Sequence, residues 1–395
     1  MKALVLNAEN KTASVQEIPK LQPGPGEALI RVAAIGLNPV DALYTFHPLG
    51  ATGRTVGSDF AGVVVEVAPD IAKDVHPGQR VAGFLQGACS ANERPGAFAE
   101  FVVCPADLLW RVPDHMSLAH ASAISLCALT AAQALFYRLG LPAPFDYPSS
   151  SSQQASNTNQ SKDEITVFIY GASASVGLYA AQLVRRSSEA TGTRIRLIGA
   201  ASTARFPLLR AAPYSHDALV DYRDPAWPAR VRALSVGGKG IDYALDCISE
   251  GTTVQTVCGT LNPTSGRMAV VRSRAARAWS VDGELSTEPI YGAVWEGLGV
   301  DVQYHHGIVV PASEGARKFA GAFYRWLESG NGGEAKVLAA PVRVMPGGLE
   351  KVVPDGFAVL GGGPVRERGS VQDRTEAWMA PISAEKLVYE IEGGE

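Results

Sequence analysis

Cysteine is scarce. The chain has five in 395 residues (Cys89, Cys104, Cys127, Cys247 and Cys258), widely scattered and with no CxxC pair. An odd number at low density excludes a disulfide scaffold and fits a reducing compartment. Charge is sparse too, at 19% of residues with a net charge of −4 at pH 7. Without a basic excess, wholesale electrostatic binding to DNA or RNA is excluded. The N-terminus, MKALVLNAENKTASVQEIP, lacks the apolar centre of a secretory signal. No unbroken run of about 18 apolar residues marks a membrane span. The expectation is a cytoplasmic protein that meets neither nucleic acid nor membrane. What the chain does have is apolar material, at 46%, and 41 glycines. That is enough for sizeable cores and many tight turns. At roughly 150 residues per domain the length implies two or three domains.

The N-terminal third is strand-like and punctuated by Gly and Pro. Apolar runs lie at 28–35, 60–67, 75–83 and 96–103, with Pro-Gly turns at 23–27 and 77–78. Short strands at this spacing predict a small β barrel. From Ser117 to Leu139 the chain is Ala- and Leu-rich and reads as helix. Residues 142–164 are polar and of low complexity, and read as an inserted surface loop. After it, apolar strands alternate with helices: 165–170, 194–200, 217–222, 240–246 and 267–271, with 300–304 as the last strand. That alternation predicts a doubly wound parallel sheet of about six strands. Phe319 to Leu327 reads as an amphipathic helix, and a polar excursion at 361–381 precedes the closing strand.

The strongest local signal is ITVFIYGASASVGLYAAQLVRR, starting at Ile165. A buried strand ends at Gly171, and a turn of small residues opens a helix. A helix N-terminus offers unpaired N–H groups and the positive end of its dipole to a phosphate. Gly171 permits the tight turn, and Gly177 lets the helix approach the strand. Ser173 and Ser175 can add hydroxyls. Ser173 stands where the strict GxGxxG fingerprint has its second glycine. The second strand then reads RLIGAASTARF, with no acid to hold the ribose hydroxyls. Ser202, Thr203 and Arg205 follow instead, which suits a 2′-phosphate. The cofactor expected is NADPH.

At this point a family is visible. The chain resembles the medium-chain dehydrogenase/reductase superfamily, in its zinc-independent quinone-reductase-like branch, over nearly its whole length. Within that branch it is most similar to the fungal trans-acting enoyl reductases of polyketide synthases. The segments that carry the likeness are GLNPVDAL (36–43), GSDFAGVVVEV (57–67), AAQAL (131–135), GASASVG (171–177), ALVDYRDP (218–225), YALDCIS (243–249), MPGGLEKV (345–352) and EKLVY (385–389). The resemblance implies an α/β fold of two domains. One is a GroES-like β-barrel catalytic domain formed by 1–125 and 306–395. The other is a doubly wound Rossmann NADP-binding domain at 126–305, with the active site in the cleft between them.

The resemblance also implies roles. Ser173, Ala174, Ser175 and Val176, with Gly171 and Gly177, would touch the cofactor phosphates. Ser202, Thr203, Arg205 and Tyr222 would surround the 2′-phosphate. Val40, Asp41 and Leu43 of the GLNPVD loop, Ala269 and Val270, and Ile382 and Ser383 would approach the rest of the cofactor. Leu126, Thr130 and the run Ile290, Tyr291, Gly292, Ala293 and Val294 would line the substrate channel. Catalytic candidates are Asn38, Asp41, Tyr44 and Thr130, with His47 nearby. Zinc-dependent relatives carry Cys at the place of Asn38 and Gly-His-Glu at 57–59, where this chain has Gly-Ser-Asp. Cys127 alone cannot hold a tetrahedral zinc, so no metal is expected. His305 and His306 are adjacent, so on a strand they point to opposite faces and form no ligand pair. One departure stands out: many relatives follow the Asp of NPxD with Trp-Lys, and here Ala42 and Leu43 follow Asp41.

The activity implied is hydride transfer from NADPH to the β-carbon of an α,β-unsaturated polyketide thioester. The enolate oxygen formed needs hydrogen-bond donors. The substrate would arrive on an acyl carrier protein, and Arg267, Arg272, Arg274 and Arg277 form a basic run that suits such an acidic partner. Two alternatives stand beside it. One is a zinc-free quinone or alkenal reductase. The other, motivated by Leu43, is a non-redox member of the fold: an isomerase, a cyclase or an inactive NADPH binder.

Overall fold

The computed structural model describes residues 1–395 except 72–73, 91, 149–163, 305–307, 331–334, 366–370, 372 and 392–395. Most of the polar insertion, the pair His305 and His306, and parts of the 361–381 excursion therefore lie outside the described residues. The chain divides into two compact units, Met1–Leu126 with Trp295–Glu395, and Cys127–Val294.

The first unit is built on a seven-stranded sheet. Its spatial order is Val342–Met345, Lys386–Glu390, Glu27–Gly36, Gly57–Val67, Arg80–Gly87 and Trp110–Arg111, with Phe101–Pro105 also paired to Glu27–Gly36. Register shifts in the pairing of Glu27–Gly36 with Gly57–Val67 let the sheet curl. Phe60, Phe84, Phe98, Phe357 and Tyr389 are fully buried around it. Each such side chain contributes roughly 1.5–3 kcal/mol. Helix Glu314–Glu328 closes one side. Ser313 caps it by accepting from the Ala316 N–H at 3.1 Å, and Phe319, Phe323, Tyr324 and Leu327 face inward.

The second unit carries a six-stranded parallel sheet. Its order is Ala218–Asp221, Arg194–Ala201, Glu164–Tyr170, Tyr243–Asp246, Arg267–Val270 and Ile290–Tyr291. By order of appearance that is 3-2-1-4-5-6, the order of dinucleotide-binding folds. Five of these strands coincide with runs read from the sequence. The sixth does not: it is Ile290–Tyr291, while Val302–Gln303 pairs antiparallel with Val309–Val310 in the first unit. Residues 295–304, expected with the Rossmann domain, also belong to the first unit. Trp295 stacks on Phe84 at 6.0 Å, and the Arg317 guanidinium donates to the Leu298 carbonyl at 2.6 Å.

The stretch Leu118–Arg138 is long and apolar enough to cross a bilayer, and most of it is buried within the protein. Ser122, Ser125, Thr130 and Gln133 interrupt its apolar run.

Candidate active site

One register rung marks the C-terminal edge of the parallel sheet. Val220, Ala200, Tyr170, Asp246, Val270 and Tyr291 are successive register partners across it. The residues beyond that rung are those the sequence assigned to a dinucleotide. Gly171 follows Tyr170 with φ +73°, a backbone region that favours glycine. Helix Ser175–Thr191 begins next, with no side-chain cap at Ala174 and no acid in its first turn. A Cβ at Gly177 would lie 2.4 Å from the Gly171 carbonyl oxygen, so only glycine lets this helix start so close to the strand. Ser173, Ser175 and Val176 are half-buried at its mouth.

One strand over, Ser202, Thr203 and Arg205 form the turn after Arg194–Ala201. Tyr222 follows the neighbouring strand and is 42% exposed, with the Arg223 guanidinium 5.1 Å from its ring centroid. The Arg205 Nε is buried and has no hydrogen-bond partner. A buried unsatisfied donor is costly, and an anion bound there would satisfy it. The site therefore fits a nicotinamide dinucleotide with a 2′-phosphate. Ala269 and Val270 are buried in the strand itself.

Asp246 was not singled out from sequence. Its carboxylate accepts from the Ile248 and Ser249 N–H groups, both at 2.8 Å, and from the Thr253 hydroxyl at 2.7 Å. Burial pushes its pKa up to about 6 against those hydrogen bonds. It shapes the turn beside the sheet edge. The Asp-x-x-Ser spacing inside YALDCIS was the available signal.

Of the residues expected to line a substrate channel, Ile290 is half-buried and Tyr291 is exposed, while Ala293 and Val294 are buried. A Cβ at Gly292 would lie 1.8 Å from the Arg138 Nε, so this position takes no side chain while that arginine stays in place. Leu126 and Thr130 lie four residues apart on helix Ser125–Ala132, and share a face.

In the first unit the GLNPVD loop opens helix Pro39–Phe46. Val40, Leu43 and Tyr44 are half-buried on one face of it, while Asp41, Ala42 and Thr45 are buried on another. The structure thus groups Val40, Leu43 and Tyr44 and sets Asp41 apart. Ile382 is half-buried and Ser383 exposed, just before the strand Lys386–Glu390. Beneath the helix lies a buried polar cluster. The Asp41 carboxylate accepts from the Asn38 N–H at 2.8 Å and the Ser58 hydroxyl at 2.6 Å. Asp59 accepts from the Asn38 side-chain amide at 3.0 Å and the Leu126 N–H at 2.8 Å. The Lys386 ammonium donates to the same Asp59 carboxylate. Lys386 is 3% exposed and Asp59 fully buried. Burial, reinforced by the charge of Asp59, pushes the Asp41 pKa up to about 7 against the Ser58 and Asn38 hydrogen bonds and the Lys386 charge.

Comparison with known proteins bears on the family and the fold. Residues 24–114 match the alcohol dehydrogenase GroES-like domain. Trans-enoyl reductase traG of Penicillium crustosum is 29% identical over 393 residues, covering 98% of this chain and 96% of that one. Trans-enoyl reductase caaB of Aspergillus niger is 31% identical over 338 residues, covering 85% and 86%. The chain belongs to the trans-enoyl reductases. It is an oxidoreductase of the medium-chain dehydrogenase/reductase superfamily. Solved structures share the fold. An alcohol dehydrogenase superfamily protein from Novosphingobium aromaticivorans superposes with a TM-score of 0.70 at 20% identity, covering 99% of this chain and 100% of that one. A mycobacterial protein complexed with NADPH superposes with a TM-score of 0.64 at 21% identity, covering 99% and 100%.

In this trans-enoyl reductase, Asn38 and Ser58, which stand where zinc-dependent relatives have ligands, direct their side chains to Asp59 and Asp41. Among the described residues no group of three or more His, Cys, Asp or Glu could hold a metal ion. The basic run changes meaning. Arg267 donates to the Leu139 and Arg138 carbonyls at 2.6 and 2.9 Å, closing a helix end. Arg272 pairs with Glu250. Arg274 and Arg277 are exposed.

Proposed function

We propose that this trans-enoyl reductase delivers hydride from NADPH to the β-carbon of an α,β-unsaturated polyketide thioester carried by an acyl carrier protein. The observation that carries the reading is the buried, unpartnered Arg205 Nε, set among Ser202, Thr203 and Tyr222 at the C-terminal edge of the parallel sheet. NADPH supplies the hydride when bound. The chain's own residues hold and orient it: the helix start at Ser175 for the phosphates, and Ser202, Thr203, Arg205, Tyr222 and Arg223 for the 2′-phosphate. The names of the relatives support the enoyl substrate. A second reading, NADPH binding without net redox, is favoured by Leu43, which puts an apolar side chain on the same helix face as Tyr44.

The test is NADPH absorbance at 340 nm with an α,β-unsaturated N-acetylcysteamine thioester. Oxidation with formation of the saturated thioester is expected. Tight NADPH binding with no oxidation across several chain lengths would replace this reading with the non-redox one. Arg205→Ala is expected to raise the Kd for NADPH by roughly 10- to 100-fold while leaving that for NADH nearly unchanged, since a charge-assisted hydrogen bond is worth about 1.5–3 kcal/mol. Equal losses for both cofactors would remove Arg205 from the 2′-phosphate.

The carrier protein would meet Arg274 and Arg277. Double reversal to Glu is expected to lower kcat/KM for carrier-bound substrate by about tenfold at low salt and less at high salt, and to spare the small thioester. Equal loss on both substrates would exclude this docking face.

A further inference from the structure

We infer that Asp246 is a positioning residue for the cofactor pyrophosphate, acting through Ile248 on the turn at Gly171, an assignment that rests on the dinucleotide reading of this site. All of these residues belong to the second unit. Asp246 is fully buried at the end of strand Tyr243–Asp246. Its register partner is Tyr170, the residue before Gly171. Strand Arg194–Ala201 lies on one side of Glu164–Tyr170, and Tyr243–Asp246 lies on the other. Tyr170 and Asp246 therefore flank the point where the strand order reverses. Ligands of such sheets bind beyond the strand ends at that point.

A carboxylate repels a phosphate, so Asp246 does not hold the cofactor by contact. Its oxygens are engaged within the chain. One accepts from the Ile248 and Ser249 N–H groups, both at 2.8 Å, and the other accepts from the Thr253 hydroxyl at 2.7 Å. The Ser249 hydroxyl donates to the Asp246 carbonyl at 2.8 Å and accepts from the Val271 N–H at 3.0 Å, which ties the turn to the end of the next strand. The Cys247 N–H donates to the Tyr170 carbonyl at 3.0 Å. Ser249 has φ +50°, a conformation kept only where the surroundings impose it. These bonds fix where Ile248 points.

Ile248 points at the glycine turn. A Cβ at Gly171 would lie 2.8 Å from the Ile248 Cγ1 and 3.0 Å from its Cδ1. On the opposite side, the Gly171 carbonyl oxygen lies against Gly177, and that carbonyl also accepts from the Ala174 N–H at 2.9 Å. Gly171 is thus held between the helix start and Ile248. A glycine at φ +73° has wide conformational freedom, and packing on both sides removes it. The N–H groups that follow, at the start of helix Ser175–Thr191, are the ones that would meet the pyrophosphate. Donors fixed in advance spare the ordering penalty of binding.

The experiment measures Kd for NADPH and for NADH by calorimetry, with Tm, in wild type, Asp246→Ala, Asp246→Asn, Ile248→Ala and the double Asp246→Ala/Ile248→Ala variant. Asp246→Ala is expected to raise both Kd values alike by roughly tenfold, since both cofactors carry the pyrophosphate. Asp246→Asn keeps one oxygen for the two N–H groups and turns its amide to Thr253, so its Kd values should stay within about threefold of wild type. Ile248→Ala should match the loss of Asp246→Ala, and the double variant should lose no more than either single, because both act at one contact. Losses that multiply in the double variant, or a loss confined to NADPH, overturn the assignment. So does a folded Asp246→Ala that binds as wild type does. If Asp246→Ala does not fold, Ile248→Ala decides alone, and wild-type affinity there overturns the assignment. A wild type that binds neither cofactor overturns the dinucleotide reading itself, which keeps the two failures distinct.

Discussion

Lys386→Met should destabilise the first unit by about 3–5 kcal/mol, the usual cost of removing one partner from a buried ion pair. Lys386 and Asp59 are 327 residues apart in sequence, and the pair joins the closing strand to the strand Gly57–Val67. Without the ammonium, Asp59 keeps its hydrogen bonds from Asn38 and Leu126 but has lost its opposite charge. Tm should drop by roughly 10 °C, at about 2–4 °C per kcal/mol for a unit of this size. The companion variant decides the cause. Asp59→Asn in the Lys386→Met background removes the stranded charge and should recover much of the loss. A double variant no more stable than the single would show that packing around the Lys386 stem, and not the charge, is what matters. Asn38 and Leu126 both lean on Asp59, so the single variant should also disturb the start of the Pro39–Phe46 helix.

The second large effect is a pH dependence carried by Asp41. Its folded pKa of about 7 lies above the value near 4 of an unfolded aspartate. Between those values the folded chain holds a proton that the unfolded chain has released. Stability from this group is therefore fully present below pH 4 and falls as pH rises towards 7, by about 4 kcal/mol in all. Asp41→Asn keeps the shape. It can accept from the Asn38 N–H with its oxygen and donate to the Ser58 hydroxyl with its amide. The difference in unfolding free energy between this variant and wild type should grow in favour of the variant from pH 4 to 7 and level off above. A difference that is flat with pH would show that Asp41 is ionised throughout. The comparison must be made at each pH, because other groups titrate in the second unit. Burial holds the His216 pKa at about 4, which costs stability as pH falls from 6.5 to 4. Asp246, at about 6, works in the same direction as Asp41.

Much of the fold was legible in the chain. The turn from Tyr170 through Gly171 to the helix at Ser175 depends on neighbouring residues and on what their backbones permit. So do the strand runs of the parallel sheet. The absence of an acid after Arg194–Ala201 and the presence of Arg205 were likewise local. The sixth strand was misplaced because Ile290–Tyr291 has two residues, too few to show a period, while 300–304 has a strand-like run that pairs with Val309–Val310 inside the first unit. Val40, Leu43 and Tyr44 share a helix face that Asp41 does not, a difference set by one turn of helix that residue type does not show.

The amino-acid sequence alone determined the alternation of strands and helices, the glycine turn and the family. These follow from side-chain period and backbone sterics over a few residues. The tertiary structure decided which polar groups find partners. It joined Lys386 to Asp59, used Arg267 and Arg272 internally, and left Gln86 and Arg205 each with a buried donor unfilled. Partnership between distant polar groups is a matter of register and packing across the whole chain, and residue type alone does not encode it.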